Sequence, residues 1–146
     1  MARIIYVEDD ELVGKLVKQV LTNAGHLVGV ISHGTLAYET IAFKKPDLVI
    51  LDRALPGMQG VEILKALRAR PELYLTPIIM LTAKGGEEHW NEAIGAGAND
   101  YLLKPFEPSD LVLRVETVLR QNSFWREPAP KSEGSAAEQL GRDPRS

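Results

Sequence analysis

Five short apolar runs divide the first 122 residues: Ile4–Glu8, Leu27–Ile31, Leu48–Asp52, Pro77–Leu81 and Asn99–Leu103. They are rich in Val, Ile and Leu with little polar alternation, which predicts strands buried on both faces of a parallel sheet. The stretches between them repeat at helical spacing. Leu12, Leu16, Val20 and Ala24 recur every fourth residue beside Val13, Val17 and Leu21, and Gly25 follows as a C-terminal stop. A second helix is expected from about Thr35 to Lys44, ending before Pro46. Val61, Leu64 and Leu67 mark a third. A fourth spans about Gly86 to Ala96, weakened by Gly85, Gly86 and Gly95. Leu111, Val115, Val118 and Leu119 mark the last, opened by Pro108-Ser109-Asp110.

Strands alternating with helices predict βαβ units, right-handed crossovers and helices on both faces of one sheet. The pattern alone leaves the strand order open. Residues 123–146 differ in kind: three prolines, small polar residues and balanced charge predict a flexible tail or linker. Phe124 and Trp125 are expected to continue the last helix, with a partner-binding hook as the alternative.

Composition adds exclusions. The net charge of −3 offers no basic surface for nucleic acid, so no direct nucleic-acid partner is expected. The absence of cysteine removes disulfides and thiol chemistry and points to a reducing compartment. No apolar run approaches the ~20 residues of a membrane span. The first residues run straight into a strand, so neither a leader peptide nor a membrane partner is expected. His26, His33 and His89 are scattered and read as surface positions.

The candidate chemistry lies at the carboxyl ends of the strands, where open α/β sheets bind their ligands. There the chain places Glu8-Asp9-Asp10, Asp52, Thr82-Ala83 and Lys104-Pro105. Clustered carboxylates repel one another unless a cation is present, and oxygen-only ligands suit a hard ion such as Mg²⁺. A carboxylate can also attack phosphorus and form an aspartyl phosphate. Lys104 would then supply fixed positive charge and Thr82 a hydroxyl.

With these residues goes a family resemblance. Residues 1–122 resemble the receiver domain of response regulators in two-component signal transduction. The stretches that carry it are Val7-Glu8-Asp9-Asp10, Val49-Ile50-Leu51-Asp52 with Leu55-Pro56-Gly57-Met58-Gln59-Gly60, Met80-Leu81-Thr82-Ala83, and Gly97-Ala98-Asn99-Asp100-Tyr101-Leu102-Leu103-Lys104-Pro105-Phe106. The resemblance implies a flavodoxin-like (βα)5 three-layer α/β sandwich with sheet order 2-1-3-4-5. It implies Asp52 as phosphoacceptor, with Glu8, Asp9, Asp52 and the Ala54 backbone carbonyl around Mg²⁺, or Mn²⁺ in its place. Thr82 matches the switch hydroxyl, Lys104 the phosphate-contacting lysine, and Tyr101 the aromatic that moves with Thr82. The bond before Pro105 matches one that is often cis. Asp10 is read as charge at a helix N-terminus. Ala54 and Lys84 stand where the family tunes phosphate lifetime, and neither suits an attacking water, so slow decay is expected.

The resemblance further implies a bacterial, cytoplasmic phosphoprotein that is not an enzyme with a small-molecule substrate. Its donor would be a histidine kinase or phosphotransfer protein. Its readout face would be the fourth helix, fifth strand and fifth helix, acting on a downstream protein or missing output domain, or pairing as a homodimer. Asp100, Asp110, Arg114 and Arg120 resemble a charged face of that kind, or are ordinary solvated charges. Trp90 is expected to pack on Ile94 or to meet a partner. Alternatives are a receiver that signals without phosphorylation, a flavin binder, and an aspartyl-phosphate phosphohydrolase. The phosphohydrolase would need an acid at position 54, which is Ala54. The flavin binder would face repulsion from Glu8, Asp9 and Asp10.

Overall fold

The computed structural model describes residues 1–126. Strands β1 (Arg3–Val7), β2 (Leu27–Ile31), β3 (Leu48–Leu51), β4 (Ile78–Thr82) and β5 (Asp100–Leu103) alternate with helices α1 (Glu11–Asn23), α2 (Gly34–Lys44), α3 (Gly60–Arg68), α4 (Glu87–Gly95) and α5 (Pro108–Arg126). One short 3₁₀ turn, Pro71–Leu73, separates α3 from β4. All strand pairs are parallel and the sheet order is β2-β1-β3-β4-β5, the flavodoxin-like arrangement. The part of the expected tail beyond Arg126 lies outside the described residues.

Alternation along the strands sends side chains to two separate core layers. Val7, Val49, Leu51, Ile78 and Met80 join Ile41 of α2 and Ile63, Leu64 and Leu67 of α3. Ile4, Tyr6, Leu48, Ile50, Ile79 and Leu81 join Val17 and Leu21 of α1 and Leu111 and Val115 of α5. Each fully buried aliphatic side chain contributes about 1.5–3 kcal/mol relative to exposure.

The structure departs from the expected pattern in three ways. First, β2 is not buried on both faces: Leu27 and Val30 are exposed because the strand order leaves β2 at the sheet edge. Second, α1 turns only one of its two apolar stripes inward. Val17 and Leu21 are fully buried, whereas Leu12 is 79% and Leu16 49% exposed. Gly14 is buried on the inward side and faces Val30, where an added Cβ would come within 3.2 Å of Val30 Cγ1, so the helix lies close to β2 there. Third, His26 is buried rather than on the surface. Its Nδ1 accepts from the Ala2 N–H at 3.1 Å, and its Nε2 lies 2.9 Å from Glu116 Oε2 on α5. The long-range packing of α5 creates that environment.

Local signals place the site loops. Asp10 caps α1, its Oδ1 accepting from the Val13 N–H at 3.1 Å. Gly60 starts α3 so close to Asp52 that a Cβ would fall 2.0 Å from the Asp52 carbonyl oxygen. Only glycine allows that approach, which fixes the loop between β3 and α3 against its own beginning.

Candidate functional site

The strands β1 and β3 each stop one residue short of a carboxylate, Glu8 after Val7 and Asp52 after Leu51. Val7 and Leu51 are paired neighbours in the sheet, so the two acids emerge side by side at its carboxyl edge. Carboxylate oxygens of Glu8, Asp9 and Asp52 all lie within 4.8 Å of one another, a grouping that could hold a metal ion. Glu8 and Asp52 are buried and Asp9 is exposed, leaving the cluster open on one side.

Lys104, just past β5, reaches into the cluster. Its Nζ lies 2.5 Å from Glu8 Oε1 and 3.2 Å from Asp52 Oδ2. The Lys104-Pro105 peptide bond is cis. Burial pushes the Glu8 carboxyl above its ordinary range, with Asp52 adding to the rise and bonds from Lys104 and Tyr6 opposing it. Burial acts against the Lys104 ammonium, but the facing Glu8 and Asp52 charges outweigh it and raise its pKa. Three hard oxygen donors with excess negative charge fit a small divalent cation.

Asp52 Oδ1 accepts from the Arg53 N–H at 2.6 Å. Ala54 lies exposed in the turn that follows. Thr82 ends β4 and is buried, its Oγ1 accepting from the Lys84 N–H at 3.2 Å. Tyr101 is buried in β5 and its hydroxyl donates to the Lys84 carbonyl at 2.6 Å. The Lys84 backbone is thus held at its N–H by Thr82 and at its carbonyl by Tyr101. Asp10 points away to its cap role.

Two contacts at and beside the cluster were missed by sequence reasoning. The Tyr6 hydroxyl donates to Glu8 Oε1 at 2.5 Å. Period-2 alternation puts Tyr6 and Glu8 on one side of β1, so an aromatic hydroxyl two residues before the acid was the available signal. The Arg53 side chain crosses to α4, where its guanidinium pairs with Glu92 and donates to the His89 carbonyl at 3.3 Å. No local pattern marks that contact.

Along β5 and α5, Arg114 pairs within the chain, with Asp100 at 2.9 Å and with Asp110 at 3.2 Å. Arg120 approaches Thr117 at 3.5 Å. Trp90 is 47% exposed, while Ile94 packs against the core.

Comparison with known proteins agrees with this geometry. The family model of the response regulator receiver domain matches residues 4–116. The phosphate regulon transcriptional regulatory protein PhoB of Rhizobium meliloti is 40% identical over 121 residues, covering 83% of this chain and 53% of PhoB. The DNA-binding response regulator MtrA of Mycobacterium tuberculosis is 41% identical over 120 residues, covering 82% of this chain and 51% of MtrA. The chain therefore spans about half the length of these curated relatives. Among solved structures, the BeF3-activated N-terminal receiver domain of Klebsiella pneumoniae RstA superposes with a TM-score of 0.76 at 38% identity, covering 82% of this chain and 99% of that one. The chemotaxis response regulator CheY4 of Vibrio cholerae gives 0.76 at 32%, covering 81% and 98%.

These relatives overturn one expectation. The acidic charge balance argued for a protein with no nucleic-acid partner, yet matched relatives are named as DNA-binding and transcriptional regulators. The charge of a receiver reports on that unit alone and carries no information about the remaining half of such a protein. For the membrane, the structural statement is narrow: among the described residues no helix is long and apolar enough to cross one.

Proposed function

Because this chain belongs to the response regulator receiver family of two-component systems, we propose that it accepts a phosphoryl group on Asp52 with Mg²⁺ held by Glu8, Asp9 and Asp52. The carrying observation is the meeting of those three carboxylates with Lys104 at one sheet edge. In the transfer, an Asp52 oxygen forms a bond to phosphorus as the donor's P–N bond breaks. The donor imidazole nitrogen keeps the electron pair. Bound Mg²⁺, or Mn²⁺ in its place, supplies charge stabilisation for the phosphoryl oxygens. Lys104 turns its ammonium toward the new charge, and the Ala54 carbonyl would be a further ligand for the metal.

The donor is a histidine kinase or phosphotransfer protein. The phosphoryl group adds roughly −1.5 to −2 charges. Thr82 and Tyr101, joined through the backbone N–H and carbonyl of Lys84, relay that change to α4, β5 and α5. The chain stores a mark and does not turn over a small substrate, and it loses the mark slowly because neither Ala54 nor Lys84 positions a water. The names of PhoB and MtrA favour a transcriptional output for the signal it receives.

Incubation with acetyl phosphate and Mg²⁺, read by intact mass, tests the assignment. A single phosphoryl adduct is expected, absent in Asp52→Asn and after chelation. An adduct that survives in Asp52→Asn overturns it.

A further inference from the structure

Tyr6 is fully buried in the core layer that β1 shares with α1 and α5. A phenylalanine would fill the same space without bringing a hydroxyl into an apolar layer, and a buried hydroxyl is costly unless bonded. Here the Tyr6 hydroxyl donates to Glu8 Oε1 at 2.5 Å. Lys104 Nζ donates to that same oxygen, also at 2.5 Å. The second Glu8 oxygen, Oε2, accepts only the Asp10 N–H among the described residues, at 3.2 Å. The Glu8 side chain is 1% exposed, so water does not replace a lost donor.

The two donors on Oε1 differ in kind. Lys104 is shared with Asp52 and sits on a long, rotatable stem. Tyr6 is rigid, its ring clamped in the core with only a single hydroxyl reaching the site. We propose that Tyr6 is a positioning residue for the acidic cluster, holding Glu8 by Oε1 so that its carboxylate stays beside Asp9 and Asp52 when Lys104 turns to another partner. Bonds of this sort to a ligating carboxylate typically change metal affinity by 10–100-fold. The inference rests on the reading of Glu8, Asp9 and Asp52 as a Mg²⁺ site.

Tyr6→Phe removes one oxygen and keeps the ring. Mg²⁺ titration by calorimetry, with no phosphoryl donor present, is expected to show affinity about tenfold weaker than wild type. A role confined to packing would lower the melting temperature and leave that affinity unchanged. Equal Mg²⁺ affinity in a folded Tyr6→Phe protein overturns this inference and leaves the site reading standing. A wild-type protein that binds no Mg²⁺, or binds it equally well as Glu8→Gln, overturns the site reading and this inference with it. A second measurement needs no variant. The Tyr6 hydroxyl proton should appear as a slowly exchanging downfield resonance that shifts on adding Mg²⁺, and a resonance that does not respond overturns the proposal.

Discussion

Lys104 sits nearer to Glu8 than to Asp52: its ammonium nitrogen is 2.5 Å from Glu8 Oε1 and 3.2 Å from Asp52 Oδ2. The lysine is the cation of the cluster in this structure, so a metal and a phosphoryl group both compete with contacts it already makes. Two unit charges about 4 Å apart interact by roughly 4 kcal/mol at an effective dielectric near 20, and partial exposure reduces this. Lys104→Met should therefore bind Mg²⁺ about tenfold more tightly while accepting phosphate from acetyl phosphate more slowly. Calorimetry and time-resolved intact mass check the two halves. Unchanged Mg²⁺ affinity would show that Lys104 does not compete for the cluster.

Glu8 gives a pH dependence whose sign follows from burial. Its folded carboxyl pKa is raised by desolvation, and the unfolded value is about 4.3. The folded state therefore binds the proton more tightly. Stability from this group is present below the unfolded pKa and is lost as pH rises through the folded one. In metal-free protein, urea midpoints of wild type should fall relative to Glu8→Gln as pH rises from about 4 toward neutrality, and Mg²⁺ should narrow the gap. A constant difference between the two proteins across that range would contradict the assignment.

Arg53 directly follows the proposed phosphoacceptor, and its guanidinium holds α4 through Glu92 and the His89 carbonyl. The Arg53 side chain is 11% exposed, while Glu92 is 48% exposed, so the pair itself contributes at most about 1 kcal/mol. Its effect should be local. Arg53→Ala is expected to speed amide hydrogen exchange across Glu87–Gly95 several-fold with little change in global stability. Unaltered exchange in α4 would exclude this tether.

Arg68, at the end of α3, gathers the carbonyls of Gly97, Tyr74 and Thr76 at 3.0, 3.1 and 2.6 Å and Asn99 Oδ1 at 3.0 Å. Burial lowers its pKa without discharging it. It ties the turn before β4 to the turn before β5 at the edge of the sheet remote from Asp52. Arg68→Met strands several carbonyls, each costing about 1–3 kcal/mol if buried and unpaired. A loss of about 3 kcal/mol in chemical unfolding is expected, with Asp52 phosphorylation retained in the folded fraction. A stability change below about 0.5 kcal/mol would refute the clamp.

The strand–helix alternation was legible because a parallel sheet buries its strands in continuous apolar runs, and because a helix stop such as Gly25 acts through neighbouring backbone. The acids and the lysine were legible as a set because a parallel sheet brings the ends of its strands to one edge. The inward stripe of α1 was not, since Leu12/Leu16 and Val13/Val17 have the same spacing and only docking against β2 distinguishes them. The burial of His26 against Glu116 depends on residues 90 positions apart.

Sequence by itself determined the elements, their parallel pairing and the residue types at the carboxyl edge, because periodicity and turn chemistry are local. Tertiary structure alone decided which donors converge on one oxygen. Tyr6 and Lys104 meet at Glu8 Oε1, and Arg53 reaches α4, because β1, β3, α4 and the end of β5 pack at fixed distances that no short stretch of chain encodes.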